Sequence, residues 1–254
     1  MGKLLNRVPE VVATFWIIKV LSTTVGETFA DYLSGTLHFG LINTSIAMGL
    51  LLVLAVIYQF RLKRYVPAMY WLVVVLTSIT GTLITDCIVE NSSISLITIN
   101  LVFTAVLFTI FAFWYVNEQT LAMHSINTAK REGFYWAAIL CTFALGTATG
   151  DYLAETLKLG YAQSALFFAA SIAVVVFLRY ALKVNGVLTF WLVYILTRPL
   201  GASMGDLLSA SVDQGGLGFG PKNTSLLFLS IITSLMIYLS LKHNKSVSLA
   251  DRPE

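Results

Sequence analysis

Charge is what this sequence has least of. Asp, Glu, Lys and Arg make up 11% of its 254 residues, where a soluble domain carries about a quarter. That scarcity excludes a soluble enzyme, a disordered chain and an ordinary nucleic-acid binder. Cysteine is nearly absent as well: Cys87 and Cys141 alone give no disulfide framework. The three histidines, His38, His124 and His243, lie far apart, so a zinc or haem site lacks its usual ligands. No P-loop, GxSxG, HExxH or CxxC framework occurs, which leaves ATP-driven transport and standard hydrolysis without machinery. No enzyme activity and no cofactor are therefore expected. What the chain has in abundance is apolar surface, with 57% apolar residues and a mean hydropathy of +0.81. It reads as an integral membrane protein whose partners are the lipid bilayer and a small ion or solute.

A helix crossing the hydrocarbon core needs about 20 mostly apolar residues. Eight stretches qualify, at 11–33, 38–60, 67–88, 94–116, 134–156, 162–183, 187–210 and 223–241. The connections are short, the longest being about 17 residues around Asn117–Gly133. No cleavable leader is expected, because polar residues interrupt the first stretch and no small-x-small site follows it. Lys3, Arg7, Arg61, Lys63, Arg64, Lys130, Arg131, Arg179, Lys183, Lys242, Lys245 and Arg252 fall on one side of this topology, and only Lys158 and Lys222 on the other. The positive-inside rule then predicts that both termini are cytoplasmic. Lys19 and Arg198 remain, well inside spans.

The odd-numbered spans align without gaps as FWIIKVLSTTVGETFADYL (15–33), YWLVVVLTSITGTLITDCI (70–88), YWAAILCTFALGTATGDYL (135–153) and FWLVYILTRPLGASMGDLL (190–208). The shared frame is an aromatic-Trp pair, Ser or Thr six residues after the Trp, Gly at ten and Asp at fifteen. It supplies Trp16, Trp71, Trp136 and Trp191; Gly26, Gly81, Gly146 and Gly201; and Asp31, Asp86, Asp151 and Asp206. The repeat units run 11–60, 67–116, 134–183 and 187–241 within a single membrane domain, 1–254. An even number of spans per unit leaves all four units in the same orientation, related by pseudo-rotation about the membrane normal. The fold class is thus all-α and polytopic, with eight transmembrane helices as four tandem two-helix repeats. Through KVLSTTVGETFADYL, HSINTAKREGFYW, LGTATGDYLAE and TRPLGASMGDLL the chain resembles the bacterial integral membrane proteins built from four tandem two-helix repeats, each with a characteristic Trp. The resemblance spans nearly the whole chain and implies the eight-span fold and a bacterial inner membrane as its location. That family has no assigned activity, so function has to be argued from the residues.

Residues four apart stack on one helix face. Six, ten and fourteen residues after each Trp stand Ser22-Gly26-Ala30, Thr77-Gly81-Thr85, Thr142-Gly146-Gly150 and Thr197-Gly201-Gly205, small residues that let helix backbones approach closely in lipid. The adjacent face, at three, seven, eleven and fifteen, reads Lys19-Thr23-Glu27-Asp31, Val74-Ser78-Thr82-Asp86, Ile139-Phe143-Thr147-Asp151 and Tyr194-Arg198-Ala202-Asp206. An intramembrane acid is costly against lipid, so these faces should converge on an axis. The nearly uncharged even helices should stand outside. At 1.5 Å per residue each Asp lies about 22 Å from its Trp, which puts the acids at the far end from Trp anchors in the interfacial belt. Pro199 should kink its helix. Lys19 and Glu27, two turns apart, should meet through water or pair across helices. Asn43-Thr44-Ser45, Gln163-Ser164 and Asn223-Thr224-Ser225 suit helix caps or the lining of a polar vestibule.

The expected pathway is Lys19, Thr23, Glu27, Asp31, Ser78, Thr82, Asp86, Thr147, Asp151, Arg198 and Asp206, with Glu90 and Glu155 near the same mouth. Five carboxylates against two bases favour a cation. Oxygen-only ligands suit Mg²⁺, Mn²⁺ or protons better than Cu⁺ or Zn²⁺. The leading reading is a secondary transporter or channel-like carrier for a cation. An exporter of a small organic or anionic solute using Lys19 and Arg198, and a non-catalytic structural membrane protein, are the alternatives.

Overall fold

The computed structural model describes residues 6–250, with side chains through 242. Lys3 and Arg252 of the basic side lie outside the described residues, as do the side chains of His243 and Lys245. Eight α-helices and no strand occur among the described residues: α1 (Ala13–Asp31), α2 (Leu41–Arg61), α3 (Pro67–Asn91), α4 (Leu96–Glu118), α5 (Ala129–Asp151), α6 (Tyr161–Ala181), α7 (Gly186–Ser209) and α8 (Gly220–Ala250). Local chemistry sets several starts. Pro67 opens α3, where its missing N–H costs nothing. Ser95, Thr128 and Asn185 cap α4, α5 and α7 with side-chain oxygens that accept first-turn backbone N–H groups. The helix α7 continues unbroken from Gly186 to Ser209 through Pro199.

Seven of the eight helices are long and apolar enough to cross a membrane. The exception is α1, which carries Lys19, Ser22, Thr23, Thr24, Glu27 and Thr28, all buried inside the protein. A polar helix survives in a bilayer when its neighbours, not lipid, take its polar groups. That is the position of α1.

The odd helices α1, α3, α5 and α7 form a closed inner ring, each packed on the next and α7 returning to α1. The glycines at position ten make the joints. A Cβ on Gly26 would strike Ser78, one on Gly81 would lie 2.6 Å from Phe143 Cβ, one on Gly146 would strike Arg198, and one on Gly201 would strike Thr23. In each case the glycine of one unit receives the position-seven side chain of the next. One contact is thus repeated four times around the ring.

The even helices stand outside and reach past their own unit: α2 packs on α3, α4 on α5, α6 on α7, and α8 closes back on α1. Each therefore braces the following repeat. Hydrogen bonds fasten some of these seams, as with Asn100 Nδ2 to Ala148 O at 3.0 Å, Thr149 Oγ1 to Asn100 Oδ1 at 2.6 Å, and Ser225 Oγ to Thr28 Oγ1 at 2.8 Å. The outward faces are apolar, with Leu50, Leu54, Leu101, Phe108, Phe177 and Tyr180 exposed, as lipid contact requires.

One detail differs from expectation. The connection read as about 17 residues shortens to 119–128, because α4 runs to Glu118 and α5 starts at Ala129 on its Thr128 cap. The first and third units share a feature absent from the other two. A π-helical turn follows directly after Asp31 (Tyr32–Thr36) and Asp151 (Tyr152–Thr156). Each is followed by a residue with positive φ, His38 and Lys158, then by Gly40 and Gly160 at φ 74°. The halves are thus more alike than adjacent units.

Candidate functional site

The ring brings the polar face of each inner helix onto the axis, layer by layer. Every residue at positions three, seven and eleven is buried: Lys19, Val74, Ile139 and Tyr194; Thr23, Ser78, Phe143 and Arg198; Glu27, Thr82, Thr147 and Ala202. At position fifteen Asp31, Asp86, Asp151 and Asp206 are only half-buried. The acids therefore mark the less buried end of the axis, and burial becomes complete within one turn below them.

Glu27 and the four aspartates lie close enough to repel one another. Carboxylate oxygens of Glu27, Asp151 and Asp206 all lie within 4.8 Å of each other. Glu155, near Asp151 and Glu27, and Glu90, near Asp31, add charge at the rim, where both are exposed. Such a set can hold a hard cation through oxygen ligands alone.

Directly below the acids, one guanidinium closes the axis. Arg198, on α7, donates from Nη1 and Nη2 to Glu27 Oε2 at 3.1 Å each, from Nη2 to Thr147 Oγ1 at 2.7 Å, and from Nη2 to Thr82 Oγ1. It thus contacts residues of α1, α3 and α5 at once. Thr82 Oγ1 donates to Glu27 Oε2 at 3.2 Å, and Thr82 and Thr147 hydroxyls lie 3.4 Å apart. A fully buried arginine touching the other three inner helices holds the ring shut at this level. Fork geometry suits it to that task better than a lysine.

Lys19 does not pair with Glu27. Its Nζ sits over the rings of Tyr194 at 4.3 Å and Phe143 at 4.5 Å, and it makes no hydrogen bond among the described residues. Glu27 has turned instead to Arg198, one unit away. The Lys19 nitrogen thus faces two aromatic rings, the surroundings that attract a cation away from water.

The tryptophans form no lipid-facing belt. Trp71, Trp136 and Trp191 are buried and Trp16 is half-buried. With their aromatic neighbours they fill the axis at the end opposite the acids. Phe15 meets Trp71 at 5.5 Å, Tyr70 meets Trp136 at 5.5 Å, Tyr135 meets Trp191 at 6.3 Å, and Trp16 meets Phe190 at 5.6 Å. These contacts again run around the ring from unit to unit. Tyr70 and Tyr135 hydroxyls share a 2.5 Å hydrogen bond in the same layer. The correction has a plain cause: the aromatic-Trp pair points partly toward the axis, where four copies fill space that one copy could not.

The Asn-Thr-Ser and Gln163-Ser164 motifs do not cap their helices: Gly40 and Gly160 stand at the N-caps of α2 and α6 without a side-chain cap, and Ser164 Oγ is buried without a partner among the described residues. Thr44 and Thr224 donate to Gly40 O and Gly220 O, and Asn43 and Asn223 to Phe39 O and Phe219 O, four residues back in each case. His38 and His124 are exposed.

One site was missed by sequence reasoning. Glu132, at the start of α5, is completely buried and paired with Arg7 at 2.6 Å. Gln59 Nε2 donates to it at 3.0 Å and Trp136 Nε1 at 3.5 Å. The available signal was positional. Glu132 stands four residues before its Trp, where the other units carry Val12, Pro67 and Val187.

No curated protein and no solved structure matches the chain. A model of the repeat of unknown function DUF347 matches four times, over residues 14–65, 69–120, 134–185 and 189–244. The ring of four alike units is thus the signature of a shared ancestry as well as of packing, and the chain belongs to the DUF347 repeat family.

Proposed function

We propose that the chain is a secondary transporter or channel-like carrier for a cation, a hard divalent metal or a proton-coupled ion, that enters at the ring of aspartates. The observation that carries this reading is the stacking of the axis. A half-open set of carboxylates lies immediately above one buried arginine that is hydrogen-bonded to Glu27, Thr82 and Thr147. Arg198 neutralises Glu27 in the closed state. A cation arriving at Glu27, Asp151 and Asp206 competes with that guanidinium for the same carboxylate, and the competition couples ion binding to release of the ring. Such differential binding is what lets a ligand shift a conformational equilibrium.

Below Arg198 the axis is filled by Phe143, Tyr194, Lys19 and the aromatic layer. The form described here is therefore shut both at Arg198 and at the aromatic layer. Passage requires a second form in which the aromatic end parts. The positive-inside rule assigns the basic end to the cytoplasm and the acids to the outer side of a bacterial inner membrane. The export of an anion by Arg198 is the weaker reading, because four hydrogen bonds already engage that guanidinium.

The test is uptake by purified protein in liposomes, with Mn²⁺, Mg²⁺ and imposed pH gradients. Asp151→Asn and Asp206→Asn keep side-chain size and should abolish flux in protein that melts as the parent does. Normal flux in both variants, or none of these ions moved by the folded parent, would sink the proposal.

A further inference from the structure

At the basic end the chain crosses over its own bundle. Residues 6–12 precede α1 and are tied to three other segments. Arg7 N donates to Ile126 O at 2.9 Å, Tyr65 N to Asn6 O at 3.1 Å, and Asn6 Nδ2 to Met123 O at 3.3 Å. Arg7 Nη1 also reaches Phe60 O at 3.4 Å, and Val8 beside it is buried. This strap is pinned to the ends of α2 and α5 and to the α4–α5 connection, directly outside the aromatic layer.

Its central bond is the Arg7–Glu132 pair. Packing alone gives no reason for a carboxylate there, since Val, Pro and Val fill the equivalent places. Burying an ion pair seldom stabilises more than apolar residues of the same volume would, whereas a pair can make and break as a unit. The seam is also incompletely satisfied. Arg7 Nε, Asn6 Oδ1 and Gln59 Oε1 are buried without hydrogen-bond partners among the described residues, as are groups of the inner ring such as Ser78 Oγ and Arg198 Nε. Beside the Glu118–Arg131 pair at the α4–α5 connection, the described residues hold two Glu–Arg pairs with a buried carboxylate, Glu27–Arg198 under the acids and Glu132–Arg7 beneath the aromatic layer.

We propose that residues 6–12 are a strap that closes the basic end, latched by Arg7–Glu132, and that the strap lifts to open that end. What passes when it lifts rests on the transport reading above; the lifting itself does not.

Thiol labelling tests it. In a Cys87→Ser background that retains buried Cys141, Val8→Cys is exposed to a bulky, water-soluble maleimide in nanodiscs, with the same background lacking Val8→Cys as control. When labelling proceeds through brief opening, its rate follows the population of the open form. Arg7→Gln and Glu132→Gln should raise the rate about tenfold or more, since each removes the latch while leaving its partner buried. The charge-exchanged pair, Arg7→Glu with Glu132→Arg, should return it toward the parent rate. Wild-type protein supplies a second measurement. The amides of Arg7 and Tyr65, bonded across the strap, should exchange with deuterium far faster than those within α3 and α5. Labelling that is equally slow in the parent and both Gln variants, or strap amides protected as well as the inner helices, would overturn the latch. Cation flux in the same variants is a separate readout: raised labelling without flux refutes transport and keeps the strap, while flux with unchanged labelling does the reverse.

Discussion

The two halves of the inner ring are built from the same four repeats and filled in opposite ways. Toward the acids, the axis is lined by Glu27, Thr82, Thr147 and four half-buried aspartates. Toward the basic end, it is packed solid with Phe15, Tyr70, Trp71, Tyr135, Trp136, Trp191 and Tyr194. Symmetry is kept where it builds contacts and broken where it makes chemistry. Tryptophans, glycines and aspartates recur in all four units. Lys19, Glu27 and Arg198 each occur once, on α1 and α7, which adjoin where the ring closes. A fourfold scaffold with one asymmetric seam can hold a charge pair on its axis without four mutually repelling copies of each charge.

The comparison breaks most completely at the glycine joints. Gly146→Leu would place a branched side chain where even a Cβ strikes Arg198, with Pro199 Cδ only 3.1 Å away. The expected cost exceeds the about 1–3 kcal/mol of ordinary overpacking, because backbone must move and both halves of the ring share the joint. Loss of the monodisperse folded species in detergent would record it. Wild-type yield and melting would show that the ring is not held at its glycines.

Next comes the seam itself. Arg198→Ala leaves Glu27 buried beside other acids, and removing one partner of a buried pair typically costs about 3–5 kcal/mol. Glu27→Gln strips Arg198 in the same way. This is why Asp151→Asn and Asp206→Asn are the better flux probes. A double-mutant cycle on melting should find Arg198→Ala with Glu27→Gln less harmful than the two single effects added together. Simple additivity would mean that the pair does not hold the acidic half closed.

The aspartates should behave oppositely in stability and in flux. Asp206→Asn removes one of several mutually repelling charges, so melting should stay level or rise while uptake falls. A clear drop in melting would make Asp206 a structural residue and move the functional centre elsewhere.

Much of this was legible in the sequence for a physical reason: a repeated position multiplies its own signal. Four glycines at one register announce close packing, and four acids at one register announce an axis. The face at positions three, seven and eleven is the one that the structure buries completely, and at fifteen it is half-buried. What could not be read was pairing between units. Glu27 shares its helix with Lys19, yet ring closure turns it toward Arg198, and Phe143 and Tyr194 take Lys19 instead. The tryptophans misled because one amphipathic ring near a helix end looks like a lipid anchor; only the closed ring shows that these rings pack on each other. Glu132 breaks the repeat, and its partner lies in a segment that no periodicity describes.

The smallest effect belongs to the aromatic half. Tyr70 and Tyr135 share a hydrogen bond between two fully buried hydroxyls. Tyr135→Phe removes one hydroxyl and keeps the ring, so packing against Trp136 at 5.2 Å and Trp191 at 6.3 Å is retained. A buried hydrogen bond contributes about 1 kcal/mol, somewhat more when the partner is left unsatisfied, and the expected loss is of that order. If the aromatic layer serves only as a packed closure, the variant should lower melting by a few degrees and leave the rate of cation uptake unchanged. If uptake changes while melting does not, the hydroxyl pair takes part in moving a proton or ion. The division between an acidic half that binds and an aromatic half that merely closes would then have to be redrawn.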